Sequence, residues 1–105
     1  MSDALDRLFA TITSRKGDDP TKSYTAKLLA AGVEKCARKF GEEATETVIA
    51  AIQRDKVELA KESADVLYHL LVLWAASGIT PEEVYAVLKS REAQSGLEEK
   101  ASRKV

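Results

Sequence analysis

An all-α fold is predicted by three features of this sequence. Apolar residues recur at helical spacing through the long segments, and no segment shows the alternation of a half-buried strand. Helix-start signals stand where such segments begin, in Asp55 with Glu58 and in Thr80-Pro81-Glu82-Glu83. The chain has 105 residues, 45% hydrophobic and 31% charged, which suits one domain with one modest core. The expected architecture is a small bundle of about four to five helices around a central antiparallel hairpin. It spans residues 1–105 as a single domain, with a charged tail from about Glu92 onward.

The first helix begins at a cap on Ser2 or Asp3 and runs to about Ser14, with Leu5, Leu8, Phe9 and Ile12 on its apolar face. Arg15 to Lys22 contains Gly17, Asp18, Asp19 and Pro20 and reads as a polar, mobile loop. Ser23 caps a short helix that Gly32 ends. A long helix follows from Val33 to about Gln53. Its expected apolar face is Val33, Cys36, Ala37, Phe40, Ala44, Thr47, Val48 and Ala51. Gly41 interrupts it at a cost of roughly 1 kcal/mol relative to Ala, directly before a run of acids; it serves either close packing or room for a ligand.

Asp55 and Glu58 form a capping box, so the next helix starts there and runs from Lys56 to about Ser77. From Val66 to Trp74 it is apolar on nearly every side, more than one neighbour covers. Completion of the core by a homodimer is expected. Gly78-Ile79 ends the helix. Thr80 and Pro81 start a last one to about Ser90, with Val84, Val87 and Leu88 as its apolar face.

The central hairpin carries the chemistry. Its first helix holds Glu42, Glu43 and Glu46; its second holds Glu62, Asp65 and His69. In an antiparallel pair, residues at one height have numbers with a constant sum, which the turn at Arg54-Asp55 sets. Glu46 with Glu62, and Glu43 with Asp65, satisfy it. The two levels lie three residues apart, roughly 4.5 Å at helical rise. The i, i+3 spacing puts both acids of each helix on one face. The sequence sets height and leaves rotation open.

Carboxylates so close repel, and a cation relieves this. An all-oxygen donor set favours Mg²⁺, with Mn²⁺ as a substitute. Lys35 and Lys39 share the stripe of Glu43 and Glu46, where they meet substrate charge or, as Lys39 with Glu43, take part in i, i+4 ion pairing.

Net charge is −1, which gives no reason to expect nucleic acid or an anionic membrane as partner. The longest apolar stretch, Leu70 to Ala76, is far short of the ~20 residues of a membrane span. A single cysteine, Cys36, forms no internal disulfide and is expected as a buried structural thiol. The N-terminus lacks a basic region followed by an apolar run. A cytoplasmic protein is expected.

The acids stand as E-E-x-x-E and then E-x-x-D. This resembles the signature of the all-α nucleoside-triphosphate pyrophosphatases, the MazG-like superfamily. The strings SYTAKLL, KFGEEATE and KESADVLYHLLVLWAASGI are similar to the phosphoribosyl-ATP pyrophosphohydrolases of histidine biosynthesis, over roughly Leu8 to Arg91. Phe40 stands where that family suggests a smaller aliphatic residue. The resemblance implies hydrolysis of phosphoribosyl-ATP to phosphoribosyl-AMP and pyrophosphate. It implies Glu43, Glu46, Glu62 and Asp65 as metal ligands, and Glu42 as a ligand or a partner of one. A small-molecule nucleotide is then the substrate. Lys27, Lys35 and Lys39 are candidates for its phosphates, and Tyr24 and Ser23 for further contacts. His69, one turn beyond Asp65, is read as orienting that acid or as an uninvolved buried ring.

Three other readings compete. A related enzyme acting on dNTPs or modified nucleotides uses the same acids. A di-iron carboxylate bundle is disfavoured because Glu-x-x-His pairs are absent. A helical dimerisation module tolerates loss of the acids and binds no metal.

Overall fold

The computed structural model describes residues 3–92. Within them the chain forms five helices and no strand: α1 (Asp3–Ser14), α2 (Tyr24–Ala31), α3 (Val33–Ile52), α4 (Lys56–Ser77) and α5 (Pro81–Arg91). The expected all-α bundle is therefore present. Ser2 and the charged tail beyond Glu92 lie outside the described residues.

The helix ends follow from where orphan backbone groups find partners. Ser23 accepts the Ala26 N–H at 3.0 Å and starts α2. Gly32, at φ +99°, donates its N–H to Leu28 O and lets α3 begin at the next residue. Asp55 Oδ1 accepts the Glu58 N–H at 3.0 Å. The return half of that capping box is replaced: the Asp55 N–H donates to Ala50 O at 3.2 Å, so the tight α3–α4 turn itself satisfies it. Arg54 takes a left-handed φ of +60° to make that turn. Within the loop from Arg15 to Lys22, the Asp19 carboxylate accepts from both the backbone and the hydroxyl of Thr21.

The α3–α4 hairpin is the centre of the molecule; α1 packs on α4, and α2 packs on both hairpin helices. The core is Ile12, Leu28, Cys36, Leu71 and Val72, with Leu8, Phe9, Leu29 and Trp74 around it. It gathers at the C-terminal half of α4, where α1 and α2 cover the hairpin. Cys36 is fully buried as expected, its thiol donating to Leu28 O at 3.3 Å.

Two expected faces are corrected. On α3, Cys36, Phe40, Ala44 and Thr47 turn inward as expected, but Val33, Ala37, Val48 and Ala51 are exposed, and Glu43 and Ala50 turn inward instead. The helix is rotated so that Thr47 reaches α4: its hydroxyl contacts Glu43 O at 2.8 Å and Glu62 O at 3.2 Å. On α5, Val87 and Leu88 are exposed and Pro81 and Tyr85 are buried. Tyr85 can face inward because its hydroxyl donates to Asp6 Oδ1 at 3.1 Å, which satisfies its polar end. Gly41 passes through α3 without a break, and a Cβ there would meet no atom within 4 Å, so close packing does not explain it. Among the described residues no single helix is long and apolar enough to cross a membrane.

Candidate active site

The Thr47–Glu62 contact fixes the register that the turn implies and settles the rotation left open by the sequence. Glu43 of α3 and Glu62 and Asp65 of α4 face one another, with one carboxylate oxygen of each lying within 4.8 Å of the others. The levels are staggered because a helical side chain leans toward its own N-terminus. Glu46 leans toward Glu43, and its charge acts on both Glu43 and Glu62. It is exposed and lines a shallow recess with Ile49, Ala50, Gln53, Glu58 and Glu62. Glu42 points away from this group and pairs with Lys39 at 3.2 Å.

Crowding shows in the protonation of the acids. Burial first, then Glu46, Asp65 and Glu62, push Glu43 up to about 6 from 4.5. Burial and the repulsion of Glu46 and Asp65 also raise Glu62. Oε2 of Glu43 is buried without a hydrogen-bond partner. An orphaned carboxylate oxygen beside two more carboxylates is a good place for a hard cation and a poor place for anything else. The donor set is all oxygen, which suits Mg²⁺ and does not suit a His-containing di-iron site.

Beside the acids, Tyr24, Lys27, Leu28, Ala31, Lys35 and Lys39 line a cavity of about 240 Å³ between α2 and α3. Lys39 joins the two regions, since it pairs with Glu42 and also feels Glu43. That pairing holds its ammonium above the usual lysine range. Tyr24 is half exposed, and its ring stands edge-on to His69 at 6.2 Å. Ser23 does not line the cavity; its hydroxyl is engaged in the α2 cap.

Of the two readings of His69, the ring is buried, and the acid beside it is not Asp65. Its Nε2 lies 3.9 Å from Glu43 Oε1, across the hairpin, and the i, i+4 partner Asp65 is not the acid it touches. Burial, with help from Lys39, lowers its pKa and keeps the ring neutral. Sequence spacing pointed to Asp65 because it sees only one helix at a time.

The comparisons with known proteins bear on this arrangement. The family profile for phosphoribosyl-ATP pyrophosphohydrolase matches residues 5–92. The chain belongs to the phosphoribosyl-ATP pyrophosphohydrolase family. Among its relatives, a protein of Cereibacter sphaeroides named phosphoribosyl-ATP pyrophosphatase is 61% identical over 99 residues, 94% of this chain and 96% of that one. A protein of the same name from Parvibaculum lavamentivorans is 62% identical, over 94% of this chain and 91% of its own. A third so named, from Paramagnetospirillum magneticum, is 59% identical over 97% and 94%. In this phosphoribosyl-ATP pyrophosphohydrolase family member, Lys39 of the lysine-lined cavity stands one helical turn before Glu43 of the acidic group.

Proposed function

We propose that this chain hydrolyses phosphoribosyl-ATP to phosphoribosyl-AMP and pyrophosphate, the second step of histidine biosynthesis. The observation that carries it is the juxtaposition of Glu43, Glu62 and Asp65, within 4.8 Å of one another, with a cavity lined by three lysines. The family of the chain supports the same reaction. The dNTP alternative uses the same acids but has no observation in its favour.

Glu43, Glu62 and Asp65, with Glu46 beside them, hold Mg²⁺, and Mn²⁺ replaces it. Bound there, the cation neutralises phosphate charge and lowers the pKa of water. The rest is done by the protein. Lys27, Lys35 and Lys39 bind and orient the phosphates, and Tyr24 covers the substrate from α2. Glu42 holds Lys39 in place for that contact. Ser23 acts through the cap that sets α2 rather than by touching substrate. Water forms a new P–O bond as the anhydride P–O bond breaks, pyrophosphate leaves, and the water proton passes to a carboxylate. Glu46 suits that role, being exposed and outside the group formed by Glu43, Glu62 and Asp65. A pathway enzyme of this kind works in the cytoplasm on a small molecule, as a homodimer, without nucleic acid or membrane.

Pyrophosphate release should be measured with phosphoribosyl-ATP and with a dNTP panel, each with Mg²⁺ and with EDTA. The expected result is Mg²⁺-dependent release from phosphoribosyl-ATP well above that from any dNTP. Equal or faster cleavage of dNTPs overturns the substrate assignment, and full turnover in excess EDTA overturns the metal.

A further inference from the structure

Two buried polar atoms of the hairpin have no hydrogen-bond partner, Oε2 of Glu43 and Nδ1 of His69, and they belong to side chains that touch. The contact runs between the other two atoms, Nε2 and Oε1; leaving a buried polar group unpaired costs about 1–3 kcal/mol, so the free Oε2 of Glu43 asks for a reason. The His69 side chain is only 6% exposed and that of Glu43 16%. The imidazole is also flanked by two tyrosine rings. Tyr68 stands edge-on to it at 4.9 Å and 76°, Tyr24 at 6.2 Å and 88°. Tyr68 is fixed in turn by a hydrogen bond with Thr25 Oγ1 of α2. Nothing in this packing requires a nitrogen at Nε2; a phenyl ring would fill the space as well.

The direction of lean explains why Nε2 faces Glu43. His69 leans toward the N-terminus of α4, and Glu43 toward the N-terminus of α3. Because the helices are antiparallel, the two side chains lean toward one another from adjacent levels. At 3.9 Å the contact is longer than an N–H···O hydrogen bond, and it closes by a small turn of the carboxylate. Site hydrogen bonds are commonly long before ligand arrives and tighten when it binds.

We propose that His69 is a positioning residue for the metal ligand Glu43. Its Nε2–H holds Oε1, which leaves the unpartnered Oε2 for the cation shared with Glu62 and Asp65. The inference rests on the reading of Glu43 as a ligand. It adds that the buried ring reaches the cation only through Glu43, and that α2, through Thr25, Tyr68 and Tyr24, sets the ring. Loss of a hydrogen-bond partner behind a metal ligand typically weakens metal affinity by about 10- to 100-fold.

The test is Mn²⁺ affinity without substrate, read by electron paramagnetic resonance, beside melts in EDTA and steady-state kinetics. His69→Phe keeps a buried ring and removes the donor. His69→Gln places an amide N–H near the position of Nε2. Expected is an about 10- to 100-fold rise in the Mn²⁺ Kd for His69→Phe, with kcat falling and KM for substrate little changed at saturating metal. His69→Gln should recover most of the affinity. If His69→Phe does not fold, His69→Asn, whose shorter amide cannot reach Oε1, replaces it in the comparison with His69→Gln. Wild-type Mn²⁺ affinity in the donor-less variant, or equal losses with and without the donor, overturns the proposal. Glu43→Gln separates the two readings. It should weaken Mn²⁺ binding strongly, and adding the His69 change to it should cost nothing further. Wild-type Mn²⁺ binding in Glu43→Gln defeats the ligand reading itself, whereas additive losses in the double variant defeat only the link through Glu43.

Discussion

Burial and neighbouring carboxylates raise Glu43 to about 6 from 4.5, which makes it a sensor of the state of the site. Between those pH values the folded protein holds a proton that the unfolded chain has released. The stability due to this group is therefore fully present below about 4.5 and is lost as pH rises through about 6. His69, with its lowered pKa, works in the opposite sense: its contribution is present above 6.5 and is lost as pH falls. The two are separated by comparing wild type with Glu43→Gln. In EDTA, wild type should lose thermal stability relative to the variant between pH 4.5 and 7, and Mg²⁺ should reverse the difference. A constant gap between the two melts across that range would refute the raised pKa. Gly41 offers a second test at this scale. A Cβ there meets nothing within 4 Å, so Gly41→Ala should stabilise the fold by about 1 kcal/mol in chemical denaturation. Unchanged turnover in that variant means that the glycine is not needed for ligand room. A loss of kcat in a stabilised protein would instead place substrate against it.

The hairpin is the element that turns separate acids into a site. Each helix alone presents an ordinary acidic stripe. The turn at Arg54 and Asp55, with the Thr47 hydroxyl bridging to Glu62 O, brings the stripes face to face. Repulsion then falls on the pairs that cross between α3 and α4. Glu62→Gln and Asp65→Asn keep shape and remove one charge each. Both should leave the apo fold as stable or more stable, shrink the stabilisation by Mg²⁺, and lower turnover by orders of magnitude. A network of structural ion pairs predicts the reverse, since removing one partner of a buried pair costs about 3–5 kcal/mol. Thermal melts with and without Mg²⁺ beside turnover rates decide between them. The metal site is refuted if both variants melt well below apo wild type and keep their rates while folded.

At the scale of the whole molecule, the core is lopsided. Ile12, Leu28, Cys36, Leu71 and Val72 gather where α1 and α2 cover α4, while among the described residues no such cover lies over the turn end of the hairpin. Val48, Ile49, Ile52 and Val57 are exposed there, and Leu67 is exposed on α4. Val48 and Ile52 are one turn apart on α3, and the turn sets Ile52 and Val57 at one height. Covering such a surface with a second copy removes apolar area worth roughly 25 cal/mol per Å² from water, at some entropic cost. Sedimentation at micromolar concentration should give twice the chain mass of 11.5 kDa. Ile52→Glu should shift the species toward monomer. A fully active monomer of the wild-type chain would refute the dimer.

Helix boundaries were legible in the sequence because they depend on local partners for a few backbone groups. Ser23, Gly32, Asp55 and Thr80 act where their residue types indicate. The height register of the acids was legible too, since a short turn leaves an antiparallel pair one alignment. The family strings then pointed from acids to reaction, and the matching profile agrees. Rotation about each helix axis was not legible. On α3, many small or amphipathic residues, such as Ala37, Ala44, Thr47 and Ala51, bury well on either side. Tertiary packing therefore chose the face, and with it which acids meet. Tyr85 was missed on α5 because its burial depends on Asp6, remote in the chain. The burial of His69 was one of the two readings its position allowed, but its contact with Glu43 was not legible, for the same reason. Spacing within α4 names Asp65, but the opposed lean of two antiparallel helices delivers Glu43, a contact that exists only once the hairpin has closed.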